Sequence, residues 1–163
     1  MEQINNGSRI DTICFTGHRS IHRRDALYIP TKLKIQLKEL IGRGAVHFRA
    51  GGAMGFDTLA ALCVLELKEE YPHIMLDLML PCKDQTKSWD EENVEVYNYI
   101  LSQASSVDYA CEKYTRWCMM ERNRRLVNGS QVCVAYLNKS TGGTAYTYSY
   151  ALKHSLEVIN IAE

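Results

Sequence analysis

Short apolar segments alternate with longer amphipathic segments along this chain, and glycines stand at many of the boundaries. Residues 12–16 (T-I-C-F-T) are apolar, rich in strand-forming residue types, and followed by Gly17. In residues 30–40, Leu33, Leu37 and Leu40 recur at helical spacing, and Gly42 follows as a stop signal. The chain is therefore predicted to begin with a strand and then a helix.

The same alternation continues to the end of the sequence. It predicts further strands over 46–50, 74–80, 107–110, 131–137 and 158–161, the last as an edge strand, and helices over 56–70, 91–103, 116–127 and 144–155. Strands that alternate with helices through short loops are typical of parallel sheets with right-handed crossovers. We predict an α/β fold with a Rossmann-like, doubly wound, mostly parallel sheet and helices on both faces. The expected strand order is close to 3-2-1-4-5, with a switch point beside the first strand.

The length of 163 residues fits one ordinary domain with a sizeable core. The sequence contains no linker, internal repeat or low-complexity tract that would mark a second domain. We expect a flexible N-terminal tail over residues 1–10 and a single Rossmann-like domain over residues 11–163.

Charge and hydropathy restrict the partners and the location. Lys plus Arg and Asp plus Glu both number 19, so there is no global positive field, which argues against nucleic acid as a partner. No apolar run approaches the ~20 residues that span a bilayer, and the N-terminus is polar. We expect a cytoplasmic protein without a membrane partner. A homo-oligomer is compatible with the sequence, which does not specify an oligomeric state.

Cysteine spacing bears on metal and disulfide chemistry. No pair of cysteines has C-x-x-C spacing, and several lie inside apolar runs where a buried thiol is ordinary. We expect reduced thiols, with neither a structural metal site nor a disulfide framework. The six cysteines are Cys14, Cys63, Cys82, Cys111, Cys118 and Cys133.

Three glycine-containing segments directly follow predicted strands: T-G-H-R at 16–19, G-G-A-M-G at 51–55 and T-G-G-T at 141–144. In a parallel sheet the carboxyl ends of the strands lie at one edge, where ligands bind, so the three segments can border one crevice. Glycine admits close backbone approach, and a helix start presents unpaired N–H groups that suit phosphate. The alternative is that these glycines only form strand-to-helix turns.

Several side chains near these segments have two readings. Arg19 offers phosphate a guanidinium fork or forms a surface ion pair, and His18 contacts a ligand or only packs. Asp57 caps its helix or binds ribose hydroxyls. Arg122 adds positive charge. Asn123 needs a partner because it lies on an apolar stripe of helix 116–127, and we expect that partner among the backbone groups of the loops. The predicted ligand-binding residues are Thr16, Gly17, His18, Arg19, Gly51, Gly52, Ala53, Gly55, Asp57, Arg122, Asn123, Gly142, Gly143 and Thr144.

These motifs in this order resemble the Smf/DprA and LOG-like (SLOG) superfamily of Rossmann-like proteins, in its YpsA-like branch. The resemblance extends over about residues 13–152. It includes T-G-H-R, G-G-A-M-G-F-D at 51–57, the series Pro81, Gln85 and Trp89, E-R-N at 121–123, and G-G-T at 142–144. The resemblance implies binding or sensing of a nucleotide or nucleotide-derived small molecule, with ADP-ribose and adenine nucleotides as first candidates and no dedicated cofactor.

The resemblance leaves the question of enzymatic activity open. Some members of the superfamily hydrolyse cytokinin nucleoside monophosphates through a P-G-G-x-G-T-x-x-E signature. This chain reads S-T-G-G-T-A-Y-T, which puts Thr147 at the glutamate position, and threonine cannot act as that carboxylate. A nucleotide hydrolase is therefore an alternative only with another acid, Asp57 or Glu121. A third alternative is a protein interaction module or a single-stranded nucleic-acid module like the DprA-like relatives, which would need a positive groove with stacking aromatics.

Overall fold

A six-stranded sheet with five helices forms the fold in the computed structural model, which describes residues 9–162. Each strand pair in the described chain runs parallel. This architecture confirms the predicted α/β, doubly wound class. The strands are β1 (Thr12–Gly17), β2 (His47–Ala50), β3 (Met75–Leu80), β4 (Ser106–Tyr109), β5 (Val132–Tyr136) and β6 (Glu157–Asn160). The helices are α1 (Ile29–Gly42), α2 (Phe56–Leu67), α3 (Glu91–Gln103), α4 (Cys118–Val127) and α5 (Gly143–Lys153).

The strand order is β4-β3-β2-β1-β5-β6. The predicted order was wrong about β4, which pairs with β3 and not beside β1. The chain makes one more outward crossover, through α3, before α4 returns it to β5 next to β1. The switch point lies beside β1 as predicted, and β6 is an edge strand as predicted.

Each face of the sheet packs against helices because side chains alternate along the strands. Ile13 and Phe15 of β1 belong to the larger core cluster, which includes residues of α1 and α2. Cys14, between them, belongs to a smaller cluster with residues of α4 and α5. Phe15 stacks on Phe48 with ring centroids 6.4 Å apart. Burying one such ring stabilises the fold by roughly 1.5–3 kcal/mol.

Helix α1 follows the predicted leucine spacing, with Leu33, Leu37 and Leu40 fully buried. The core reaches back to Ile10, which is buried and whose N–H donates to the carbonyl oxygen of Arg43 at 3.4 Å. The predicted N-terminal tail over 1–10 otherwise falls on residues 1–8, which lie outside the described residues.

Five of the six cysteines are buried and all six are free thiols, with Cys111 partly exposed. Of the helices formed within residues 9–162, none combines the length and the apolarity that crossing a bilayer requires. Within the same residues, no group of three or more His, Cys, Asp or Glu side chains is arranged to hold a metal ion.

Candidate ligand-binding site

A cavity of about 520 Å³ opens at the carboxyl edge of the sheet, beside the switch point between β1 and β5. We call it the first cavity. Its wall is formed by the T-G-H-R segment, by α4, and by the loop that joins β5 to α5. The lining residues are Phe15, Thr16, Gly17, His18, Arg19, Ser20, Ala53, Asp57, Met119, Arg122, Asn123, Leu126, Lys139, Thr141, Gly142, Gly143 and Thr144. The sequence-predicted residues that do not line it are Gly51, Gly52 and Gly55.

His18 connects the segments around the first cavity. Its backbone carbonyl accepts a hydrogen bond from the N–H of Phe56 at 3.1 Å, at the start of α2. Its Nε2 accepts from the N–H of Asn138 at 3.0 Å, and its ring meets that of Tyr136 edge-on at 5.9 Å. Burial and the nearby Lys139 ammonium lower the pKa of His18. A neutral imidazole therefore packs against Tyr136 and also forms part of the wall, and its contact with a ligand stays a prediction.

Arg19 and Lys139 bring exposed positive charge to the wall of the first cavity. Arg19 forms no ion pair with any residue in the described part of the chain. The structure over residues 9–162 therefore lacks the surface ion pair that was one of the two predicted roles of Arg19. Sequence reasoning missed Lys139. The available signal was its position three residues after β5, at the same sheet edge as the glycine segments.

Arg122 of α4 is buried, with 6% of its surface exposed. Its Nη1 donates to the carbonyl oxygen of Gly51, and its Nε donates to Oδ1 of Asn123 at 2.9 Å. Burial lowers the pKa of Arg122, and the nearby Asp57 carboxylate opposes this. The partner of Asn123 is thus the guanidinium of Arg122. The prediction that loop backbone would be its partner was wrong, because Arg122 is the side chain that reaches the loop.

Asp57 is the buried carboxylate of the first cavity. Its Oδ2 accepts a hydrogen bond from the N–H of Ala53 at 3.2 Å, so it braces the loop that precedes its own helix. Burial raises the pKa of Asp57, and the Arg122 guanidinium opposes that rise. A carboxyl in this environment holds its proton more tightly than a free carboxyl does.

Gly51, Gly52 and Gly55 do not line the first cavity, and each is packed against protein where a side chain would be; their contact with phosphate stays a prediction. A Cβ on Gly51 would lie 2.6 Å from Nη1 of Arg122, and one on Gly52 would lie 2.3 Å from Cδ2 of Leu80. A Cβ on Gly55 would lie 2.1 Å from the carbonyl oxygen of Arg19. At all three positions, protein atoms already fill the space that a side chain would need.

The N-terminus of α5 is open to the first cavity. Gly142 caps the helix with a φ of 101°, and nothing lies within 4 Å of the place where its Cβ would be. The first intrahelical N–H donor is that of Tyr146, which bonds to the carbonyl of Gly142. The N–H groups of Gly143, Thr144 and Ala145 precede it and have no acceptor within residues 9–162.

Two further residues that bear on hydrolysis lie outside the first cavity: Glu121, the other candidate acid, and Thr147, at the glutamate position of the hydrolase signature. Thr147 is buried, and its Oγ1 donates to the carbonyl of Gly143 at 3.0 Å. Glu121 accepts a hydrogen bond from Nε of Arg125 at 3.1 Å and does not line the cavity. Asp57 is therefore the carboxylate that this wall presents.

Solved structures with a similar fold include two DNA processing proteins. One is DNA processing protein A from Helicobacter pylori, described in connection with a single-stranded DNA binding mode, with a TM-score of 0.67 and 19% identity over 97% of this chain and 67% of that chain. The other is DprA from Streptococcus pneumoniae, with a TM-score of 0.66 and 16% identity over 91% of this chain and 49% of that chain. At these identities the likeness establishes the fold.

Proteins of several bacteria are similar to this chain in sequence. A UPF0398 protein of Bacillus pumilus is 38% identical over 81 residues, which is 50% of this chain and 44% of that protein, so the match spans less than half of its length. The SPbeta prophage-derived protein YoqJ of Bacillus subtilis is 29% identical over 143 residues, 76% of this chain and 84% of that protein. A UPF0398 protein of Halalkalibacterium halodurans is 30% identical over 151 residues, 86% of this chain and 80% of that protein.

The family comparison extends over nearly the whole described chain. The profile of the YspA SLOG family matches residues 13–161, from the first residues of β1 to just beyond β6. That range includes the T-G-H-R segment, α4 and the N-terminus of α5, which together form the first cavity. The chain belongs to the YspA SLOG family.

Proposed function

We propose that the first cavity binds a phosphate-bearing nucleotide or nucleotide-derived small molecule, and that this chain acts as a binding or sensing domain for it. The observation that carries the proposal is the convergence of three positively charged side chains from three separate elements. Arg19 comes from the segment after β1, Arg122 from α4, and Lys139 from the loop after β5. The chain as a whole is neutral, so this charge is local.

The acidic content of the wall is low by comparison. Asp57 is its single carboxylate, and burial raises the pKa of that group. Arg19 and Lys139 are exposed and can move to meet a ligand, whereas Arg122 is fixed by Gly51 and Asn123. Guanidinium groups match phosphate oxygens well because their N–H groups form a planar fork. An anion therefore gains charge-assisted hydrogen bonds in this cavity.

The helix α5 supplies a second feature that suits phosphate. Its unpaired N–H groups at residues 143–145 lie at the positive end of the helix dipole. A glycine-lined helix start allows the oxygens of an anion to approach the backbone closely. By family resemblance, AMP, ADP and ADP-ribose are the first ligands to test.

Isothermal titration calorimetry of the purified chain with AMP, ADP and ADP-ribose tests the proposal. Arg19→Ala and Lys139→Ala should each weaken binding by about tenfold, since a hydrogen bond to a charged group contributes roughly 1.5–3 kcal/mol. The matched controls are Arg23→Ala, near Arg19 but outside the cavity, and Lys153→Ala, at the other end of α5. Absence of binding by all three ligands, or equal losses in the controls, would overturn the proposal.

Single-stranded nucleic acid is the second candidate ligand. The fold likeness to the Helicobacter pylori protein, described as binding single-stranded DNA, favours it. The same cationic wall would then contact a phosphodiester, and affinity would fall steeply with salt. Fluorescence anisotropy with labelled oligothymidine at two salt concentrations, followed by competition with AMP, separates the candidates. Tight salt-dependent binding that AMP does not displace would favour the strand over the small molecule.

A hydrolase is a third candidate because the first cavity contains a carboxyl with a raised pKa. A carboxyl that keeps its proton to a higher pH than a free one is the kind of group that serves as a general acid. Chromatography of AMP incubated with the chain tests for release of adenine or phosphate. Turnover that Asp57→Asn abolishes while AMP binding persists would establish the enzyme. Unchanged AMP would leave a binding domain.

A further inference from the structure

A second cavity, of about 880 Å³, adjoins the first at the same edge of the sheet. It is formed largely by the segment between β3 and α3. Arg19 and Met119 line both cavities, so these two side chains form a shared wall. Volumes of this order are typical of small-molecule sites, and a single ligand can extend past a wall made of two flexible side chains.

The two cavities differ in charge. The first is lined by Arg19, Arg122 and Lys139 against the carboxyl of Asp57. The second adds Asp84 and Asp90 to its lining, with Lys87 as the additional cation. The hydrogen bond between Asp84 and the Cys82 thiol lowers the pKa of Asp84, which keeps that carboxylate ionised. Carboxylates repel phosphate, but they accept hydrogen bonds from hydroxyl and amino groups.

The second cavity is also the aromatic one. Trp89 lines it, and the ring of Tyr97 packs edge-on against Trp89 with centroids 5.4 Å apart, which holds the indole in place. Tyr114 lines the same cavity and is 63% exposed, so its ring is free to cover a ligand. Aromatic side chains bind nucleobases by stacking, whatever the base.

Gln85 adds a polar group to this wall. Its Nε2 donates to the carbonyl oxygen of Gly52 at 3.2 Å, and its Oε1 is buried without a hydrogen-bond partner within the described residues. A buried acceptor that lacks a donor is uncommon in folded proteins. An amino group, such as the exocyclic amino group of an adenine, is the kind of donor that would satisfy it.

We propose that the second cavity binds the nucleobase half of the ligand, stacked on Trp89, while its phosphate lies in the first cavity. This inference rests on the proposed nucleotide-binding function and specifies where each half of the molecule lies. Charge and aromatic rings separate the two halves: the cationic cavity receives the phosphate, and the aromatic cavity, whose positive and negative side chains balance, receives the base. Arg19 and Met119 then contact the middle of the molecule.

The test compares AMP with ribose 5-phosphate, which shares the sugar and phosphate but lacks the base. Trp89→Leu should weaken AMP binding by about tenfold, because that is the usual contribution of a base stacked on an aromatic ring. The affinity for ribose 5-phosphate should stay unchanged. Trp89→Phe should restore most of the AMP affinity, because the ring is kept. Trp117→Leu is the matched control, since Trp117 is 64% exposed and lines neither cavity.

Fluorescence gives an independent readout, because the chain contains two tryptophans. In a Trp117→Phe background, Trp89 is the single tryptophan, and AMP should quench its emission while ribose 5-phosphate should not. Equal affinities for the two ligands, or a Trp89→Leu variant that weakens both equally, would overturn the inference. If Arg19→Ala still weakened both ligands in that case, the proposed function would stand and only the placement of the base would fail. If neither ligand bound the unaltered chain, the placement of the base would fail, and the proposed function would fail with it only if ADP and ADP-ribose did not bind either.

Discussion

Two glycine-rich loops, residues 51–55 and residues 142–144, both follow a strand and precede a helix at the same sheet edge, yet their surroundings are opposite. A Cβ on Gly55 would lie 2.1 Å from a backbone carbonyl oxygen, whereas the nearest atom to a Cβ on Gly143 would be 3.9 Å away. The first N–H of α2 bonds to the carbonyl of His18, whereas the first N–H groups of α5 have no acceptor within residues 9–162. Glycine spacing alone therefore does not identify a ligand loop. The identity depends on whether the protein itself fills the space around it.

The difference assigns separate physical roles to the two loops. The loop over 51–55 is held by Arg122 and Asp57, two buried charged side chains, so changes there should act on the free energy of unfolding. The loop over 142–144 borders open space, so changes there should act on ligand affinity.

The largest effect is expected for Arg122→Met. This change removes the donor to the Gly51 carbonyl and leaves the buried Asp57 without its neighbouring positive charge. Losing this hydrogen bond and leaving a buried carboxylate without a nearby positive charge should destabilise the protein by about 3 kcal/mol. Urea unfolding followed by circular dichroism measures the loss.

The double variant Arg122→Met with Asp57→Asn is the control for that prediction. It removes the uncompensated carboxylate and should recover about 1 kcal/mol or more of the lost stability. A double variant that is as unstable as the sum of the two single variants would mean that the two charges do not interact. The account of the loop over 51–55 would then fail.

A smaller effect, and the sharpest contrast, is expected between Gly55→Ala and Gly143→Ala. Gly55 has a φ of 80°, so alanine there adds backbone strain to the clash with the Arg19 carbonyl, for a total of about 3 kcal/mol. Alanine at 143 meets no close atom and should change the free energy of unfolding by less than about 0.5 kcal/mol. Its effect should instead be weaker binding of AMP in calorimetry. Equal losses of stability would remove the distinction between the loops.

Much of the fold can be predicted from hydrophobic periodicity, because buried strands and amphipathic helices each have a characteristic pattern of apolar residues in the sequence. The segment predicted over 131–137 is observed as β5, Val132–Tyr136, and the leucines of α1 are buried as their spacing predicts. The position of β4 does not follow in the same way. Its four residues are largely exposed, and periodicity does not specify which neighbour a strand pairs with.

The site is less predictable because it depends on contacts between distant elements. The rule that ligands bind at the carboxyl edge finds most of the residues around the first cavity. It cannot show that Arg122, about 70 positions further along the chain, occupies the space beside Gly51. The same rule does not distinguish Lys139 from other exposed lysines, because Lys139 reaches the cavity wall only through the position of β5 beside β1.

A pH effect is expected from Asp57, whose Oδ2 braces the loop over 51–55. Burial raises its folded pKa above the ordinary value of 3.8, so the folded state binds the proton more tightly than the unfolded state. The free energy of unfolding should therefore fall, relative to Asp57→Asn, as the pH rises from 3.8 through the folded pKa. Urea unfolding of both proteins at a series of pH values measures the difference. A difference that grows in favour of the unaltered chain over that range would contradict the assignment.

The smallest effect is expected at His18, which connects the two loops. Its carbonyl oxygen accepts a hydrogen bond from the N–H of Phe56 at the start of α2, and its Nε2 accepts one from the N–H of Asn138 before α5. Burial lowers the folded pKa of His18 below its ordinary value of 6.5, and the Lys139 ammonium lowers it by a smaller amount. The free energy of unfolding should therefore fall as the pH drops from 6.5 through the folded pKa. Protonation puts a hydrogen on Nε2, which then faces a second donor at Asn138. In an NMR titration the imidazole midpoint should lie below 6.5, and the Asn138 amide should shift with it while the Phe56 amide stays in place. Lys139→Met should raise the midpoint only slightly, because burial is the larger cause. A midpoint above 6.5 would contradict the lowered pKa of His18. A Phe56 amide that shifts together with the Asn138 amide would show that the two loops do not respond separately.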